Sequence, residues 1–240
     1  MVSTNKNADH NALECCGNLM SSLETEKRLD FDKPPTKTNP RLSTESLFGE
    51  ARGQMFGTLL CRPEPGDEKP VVLKAFSGQY NGIWQADGWV PPILSADAFR
   101  DIVTPVDQLI KTLSTEINSL PQNSELKSGL LKKRKELSQK LMADIHGLYE
   151  LHNFKGEKAN LFELFSSLPG IPAGTGDCCA PKLLNYAALH NLTPLSLAEF
   201  YWGRENRSGT KLHGHFYRPC SSKCGPLLRF MLRGAENLDY

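Results

Sequence analysis

The sequence predicts an α/β protein in which helices flank a sheet and an antiparallel helical hairpin is inserted. Three observations carry this. Two β-rich runs, MFGTLLCR and VVLKAFS, are separated by a polar connection containing Pro and Gly. Between residues 97 and 165 apolar side chains recur at helical steps on both sides of Pro121. From Leu168 onward a Gly-rich loop, a helix, a strand and a second helix follow one another, with cysteines at the start of each helix. At 240 residues the chain is long enough for one large domain or two small ones, with a core that needs neither disulfides nor metal merely to exist.

Taken in order, residues 10 to 25 place Ala12, Leu13, Cys16, Leu19, Met20 and Leu23 at three- and four-residue steps, the pattern of a short amphipathic helix that packs on something. The next stretch, FDKPPTKTNPRLSTES, holds three prolines among Lys, Thr and Ser and cannot be a regular element; it is a linker or a surface-hugging loop. Residues 1–50 are therefore expected as a helix and Pro-rich linker ahead of an α/β domain over 51–240. Both β-rich runs form a hairpin, and SGQYNGIWQADGWVPPIL after them suits an ordered loop packed by its aromatic residues, or a binding loop. In the helical stretch, Leu109, Leu113, Ile117 and Leu120 define one helix, and Leu126, Leu130, Leu137, Leu141, Ile145 and Leu148 the other. This second helix carries Lys132, Lys133, Arg134 and Lys135, which form either an RNA-contacting face or a solvated surface.

Within IPAGTGDCCAPKLLNYAALHN, Pro181 fits an early helical turn, where a missing amide donor costs nothing, so the helix starts close to Cys178 or Cys179. Both thiols then sit at the positive end of the helix dipole, where a thiolate is favoured as metal ligand or nucleophile. LSLAEFYWG reads as a strand, RENRSGTK as a polar turn, and Cys220 and Cys224 open the final helix. Four residues apart, those two sulfurs can chelate one ion. Cys178 is a third candidate ligand, and His213 or His215, alternating along a strand so as to face one side, is a fourth. Three thiolates and a nitrogen or water suit zinc. The alternative is that these are small core thiols with no metal.

Composition excludes some classes. With 28 Lys plus Arg against 27 Asp plus Glu, the chain lacks the global charge of a protein that coats nucleic acid by electrostatics alone. No stretch approaches the roughly 18 apolar residues of a membrane span, and the N-terminal residues lack a basic region followed by an apolar run, so a soluble, cytoplasmic protein is expected. Seven cysteines, an odd number unevenly spaced, point to free thiols or metal ligands rather than a disulfide framework.

The blocks GDCCAPKLLNYAALHNLTPLSLAEFYWG and HGHFYRPCSSKCGPLLRFMLRG, with GQMFGTLL, KAFSG, GWVPPIL and LYELHNFKGEKANLFELF upstream, resemble the N-terminal region of long-form RluA-type pseudouridine synthases across roughly residues 10 to 234. That family's catalytic H-R-L-D and T-S-G motifs have no counterpart; Arg28, Leu29 and Asp30 are an isolated tripeptide without the histidine. The resemblance implies an accessory module of RNA modification, binding RNA or a separate pseudouridine synthase chain, without pseudouridylation chemistry of its own.

A second similarity is to the cytidine-deaminase-like fold, a mixed sheet in which one helix bearing [H/C]-x-E and another bearing P-C-x-x-C bind a single zinc. Carried over, Cys178, Cys220 and Cys224 match the three ligands. The glutamate does not carry over, because Ala180 stands two residues after Cys178, and the second cysteine pair is spaced one residue wider. Asp177 or Glu199 could serve as the proton shuttle of a nucleobase or nucleotide deaminase; other readings make Asp177 a helix N-cap and Glu199 an exposed strand residue.

Overall fold

Residues 11–63, 69–235 and 237–238 are described by a computed structural model; most of the polar connection within the expected hairpin, 64–68, lies outside them. Helix α1 (Ala12–Glu26) starts at Asn11, whose side chain accepts the Glu14 N–H at 3.0 Å, and stops at Lys27, which takes φ 52°. Strands β1 (Gln54–Pro63) and β2 (Val71–Phe76) follow, then helices α2 (Ala96–Ser119) and α3 (Glu125–His146), short strands β3 (Glu150–His152) and β4 (Lys158–Asn160), and the single turn α4 (Leu161–Leu164). Helix α5 (Cys179–Leu189), strand β5 (Leu192–Trp202) and helix α6 (Cys224–Met231) complete the chain.

The main sheet has the order β2-β1-β5. β1 is antiparallel to both neighbours, with Phe56 opposite Phe76 on one side and Gly57 opposite Glu199 on the other. The register shifts between Leu60 and Cys61, next to Pro194 of β5, which has no N–H to give the ladder. Strand alternation then puts Phe56, Thr58, Phe76, Ala198, Phe200 and Trp202 on one face and Gly57, Leu59, Ala75, Leu197 and Glu199 on the other.

The first face is covered by α1. Ala12, Cys16, Leu19 and Leu23 join Phe56, Phe76, Phe200 and Trp89 in one buried cluster, each large apolar side chain contributing about 1.5–3 kcal/mol of burial. Phe56 and Phe200 stack at 5.8 Å, and Trp89 tilts against Phe56 and Phe76. Thr58 Oγ1 donates to Ala12 O at 3.1 Å and lies 3.2 Å from the Cys16 thiol, which sets the start of α1 on β1. Cys16 and Cys61 are core thiols: burial pushes them up to about 11 and about 12.

The Pro-rich stretch is pinned to this core. Leu29, Leu42 and Leu47 are buried, Leu29 N–H donates to Leu42 O, and Trp89 Nε1 donates to Leu29 O at 3.0 Å. The Arg28–Leu29–Asp30 tripeptide has a structural task. Arg28 Nε and the Asn39 N–H both donate to the buried Asp30 carboxylate, at 2.7 and 2.8 Å. Burial alone would raise that carboxyl, but these bonds and the Arg28 charge hold it below its ordinary value.

The sheet is antiparallel throughout among the described residues, where the deaminase resemblance implied a mixed one. A parallel neighbour needs a long crossover. After β5 the chain instead turns back within a short polar loop and runs along the strand it has just left. Gly214 N–H donates to Tyr201 O, Tyr201 N–H to His215 O, and Tyr217 N–H to Glu199 O, at 2.7, 3.0 and 2.9 Å. Gly214, at φ 73°, and Pro219 confine this return to one bridge, Phe200 with Phe216.

Leu94–Glu150 and Ala159–Ala173 form a compact unit separate from the one that holds the main sheet. In it α2 and α3 lie against one another, with Leu113 and Ile117 buried and Arg134 Nη1 donating to Ser114 Oγ. No helix among the described residues is long and apolar enough to cross a membrane.

Replacing Asp30 with Asn removes the charged acceptor of two hydrogen bonds. The expected cost is about 2 kcal/mol, or roughly 4–8 °C in a thermal melt. Because the Asp30 carboxyl is held below its unfolded value, the difference from the parent should be full near neutral pH and shrink as pH falls through the carboxylate range.

Candidate metal centre

Helix α5 lies on the second face of the sheet. Leu183, Leu184 and Ala187 are buried, and Pro181 occupies the first turn. Its N-cap is Cys178, extended at φ −70° and ψ 161° and making no side-chain cap bond, so the thiol is left to project from the helix start. Gly57 on β1 allows the close approach: a Cβ there would sit 3.0 Å from Cys179 Cβ and 3.2 Å from Glu199 Cγ. Cys179 itself is buried, with Sγ donating to Met55 O at 3.3 Å, and burial raises its thiol well above the ordinary value.

The return along β5 brings the second and third sulfurs to the same place. Beyond Tyr217 the chain passes Pro219 to Cys220, whose carbonyl accepts the N–H groups of Cys224 and Gly225 at 3.1 and 3.2 Å. That turn starts α6 at Cys224, so Cys220 stands just ahead of the helix rather than in it. The sulfurs of Cys178, Cys220 and Cys224 all lie within 4.8 Å of one another, with Cys220 and Cys224 3.6 Å apart, and all three are free thiols. This cluster could hold a metal ion.

Its electrostatics favour a cation. A hydrogen bond from Cys220 favours the Cys178 thiolate, but the bond to Cys224, burial and the negative neighbours prevail and push it up to about 12. Cys220 is pushed to about 12 by its bond to Cys178 and by burial. Three thiols this close cannot all ionise without a positive charge among them, and a metal ion supplies that charge.

Beside the cluster sits a buried carboxylate. Glu199 is 5% exposed, and its Oε1 accepts the Ala180 N–H at 2.8 Å. Burial pushes it up to about 7, against the Ala180 bond and the Lys211 charge, while Cys220 reinforces the rise. Lys211 lies 3.6 Å over the Tyr217 ring; burial lowers it, and Glu199, Cys220 and Cys178 partly restore it. Lys182 is 2% exposed, with Nζ donating to Phe76 O and Gly78 O at 2.9 and 2.8 Å, and burial holds it below the ordinary lysine range.

Of the residues singled out from sequence, the structure brings together Cys178, Cys220 and Cys224, and places Glu199 on the covered face rather than an exposed one. His213 and His215 do not join the cluster. They are not on a strand: the turn at Gly214 breaks the alternation that would aim both at one side. His213 Nδ1 instead accepts the Gly203 N–H, and its ring lies 4.2 Å from that of Trp202. Asp177 is neither the N-cap nor a member of the cluster; its carbonyl accepts the Gly78 N–H. On α3, Lys132, Lys133 and Lys135 are exposed, while Arg134 is half-buried through Ser114. Sequence reasoning missed Gly57, Lys182 and Lys211. A glycine inside a β-rich run and a lysine within the apolar stripe of a helix were the available signals.

Compared with protein-family models, curated proteins and solved structures, the chain matches none.

Two outcomes test this geometry. Gly57→Val should cost about 1–3 kcal/mol by overpacking Cys179 and Glu199, read as a lower melting temperature. In metal-free protein, raising the Glu199 carboxyl from 4.5 to about 7 means that the folded state binds its proton more tightly than the unfolded chain does. Stability should therefore fall by about 3 kcal/mol as pH rises between those values, and Glu199→Gln should flatten the slope in denaturant titrations across that window.

Proposed function

We propose that this chain is a zinc-thiolate domain of deaminase-like design that removes the exocyclic amine of a nucleobase or nucleotide, with Glu199 carrying the proton. One observation carries the reading. In the pattern the chain resembles, the glutamate stands two residues after the first ligand; here that residue is Ala180, and its backbone N–H holds the carboxylate of Glu199. A neighbouring strand thus supplies the group that the helix lacks.

The donor set fits zinc. Sulfurs at about 2.3 Å from one tetrahedral ion lie about 3.8 Å apart, and the Cys220–Cys224 spacing of 3.6 Å, with all three sulfurs inside 4.8 Å, needs little adjustment. When held by Cys178, Cys220 and Cys224, zinc supplies Lewis acidity and a water of lowered pKa. Glu199 lies outside the ligand set, as a proton carrier must. Its carboxylate takes a proton from the attacking water and delivers it to the amine, which leaves as ammonia while oxygen takes its place on the ring carbon. Lys211 offsets the negative charge shared by Glu199 and the thiols. One thiol-bearing helix precedes β5 and another follows it, which is the order in which the reading needs its ligands.

The exposed Lys132, Lys133 and Lys135 favour a second reading, an RNA- or partner-binding accessory module like those joined to RluA-type synthases, with zinc in a structural role. The two readings separate in one set of measurements. Purified protein should hold a single zinc that is lost in Cys220→Ser and Cys224→Ser. Ammonia release from cytidine, adenosine, guanine or RNA should fall on the order of 10²- to 10⁴-fold in Glu199→Gln and little in Asp177→Asn. Zinc without ammonia release, together with salt-dependent RNA binding weakened by neutralising Lys132 to Lys135, would support the accessory module instead. A folded chain that takes up no zinc would overturn both.

A further inference from the structure

Immediately outside the thiol cluster, the unit that holds the main sheet contains a cavity of about 400 Å³ whose wall includes Cys220 itself. The rest of its polar lining is Arg218, Ser221, Gly225 at the start of α6, and Arg229. Among the described residues no acidic side chain lines it. Arg218 and Arg229 are both exposed, and neither makes an ion pair or hydrogen bond among the described residues. Arg229 lies four residues after Gly225, one helical turn on, so both fall on the same face of α6. A Cβ at Gly225 would meet nothing within 4 Å, which leaves that side of the first turn open.

Two guanidiniums and a hydroxyl therefore border one concave space, with no acidic partner among the described residues. Guanidinium forks bind phosphoryl oxygens with paired, charge-assisted hydrogen bonds. The shared Cys220 places this space next to the candidate metal centre. We propose that the cavity is a phosphate subsite, which narrows the substrate class to phosphorylated nucleotides and holds the phosphate between Arg218 and Arg229. This assignment rests on the reading of the adjoining centre as one that acts on a nucleobase.

The test is equilibrium binding of AMP, CMP, GMP and UMP, each against its nucleoside, to the full-length zinc-loaded protein. At least one monophosphate should bind about tenfold or more tightly than its nucleoside. That ratio should fall to about one or two in the Arg218→Gln/Arg229→Gln double variant and be partly kept in the Arg→Lys double variant. Orthophosphate should compete with the monophosphate and leave nucleoside binding unchanged. A ratio close to one for all four nucleotides, or a preference that survives loss of both arginines, overturns the subsite. Zinc content and ammonia release on the same samples keep the two readings apart. Nucleosides processed with no preference for phosphate would sink the subsite alone. An arginine-dependent phosphate preference in protein that takes up no zinc would support the subsite and sink the centre.

Discussion

Burying Glu199 under α5 obliges the first turn of that helix to meet its carboxylate, and the arrangement of the centre follows from that hydrogen bond. A carboxylate removed from water must find a donor or lose its charge. The Ala180 N–H provides one only if α5 begins at Cys179 and sits close over β1, and Gly57 is what permits that distance. Cys178, as the last residue before the helix, is then aimed outward at the end where Cys220 and Cys224 arrive. Strand register, helix start and thiol placement are thus three aspects of one local constraint.

The charges around this point are balanced locally, although the chain as a whole is close to neutral. Burial raises the thiols and Glu199 towards their neutral forms, and the charges of Lys182 on Cys179 and of Lys211 on Glu199 work against that rise. Lys182 is also a structural tie, since its ammonium closes the carbonyls at the end of β2. Removing a buried ammonium of this kind would leave two acceptors unsatisfied, so its value to the fold exceeds that of a surface lysine.

What the sequence made legible was whatever depends on neighbours along the chain. The strands β1, β2 and β5 and the helices α1, α2, α3, α5 and α6 followed from periodicity and composition, the start of α5 from Pro181, and the three thiols from their places at helix starts. What it hid depends on pairing across distance. The Glu199 carboxylate acquires its partner only because Gly57 and Glu199 stand opposite each other in a register that sequence does not display. His213 and His215 alternate on paper, but the left-handed turn at Gly214 lies between them. The isolated Arg28–Leu29–Asp30 tripeptide became intelligible only when the backbone of Asn39 closed on it.

The return from Gly214 to Tyr217 has a second meaning. An unpaired strand edge invites pairing with another chain, and this short return lies along the free edge of β5. The same few residues lead directly into Cys220. Cover for the sheet edge and delivery of Cys220 to the thiol cluster are therefore assigned to one stretch of backbone, so a substitution there bears on both.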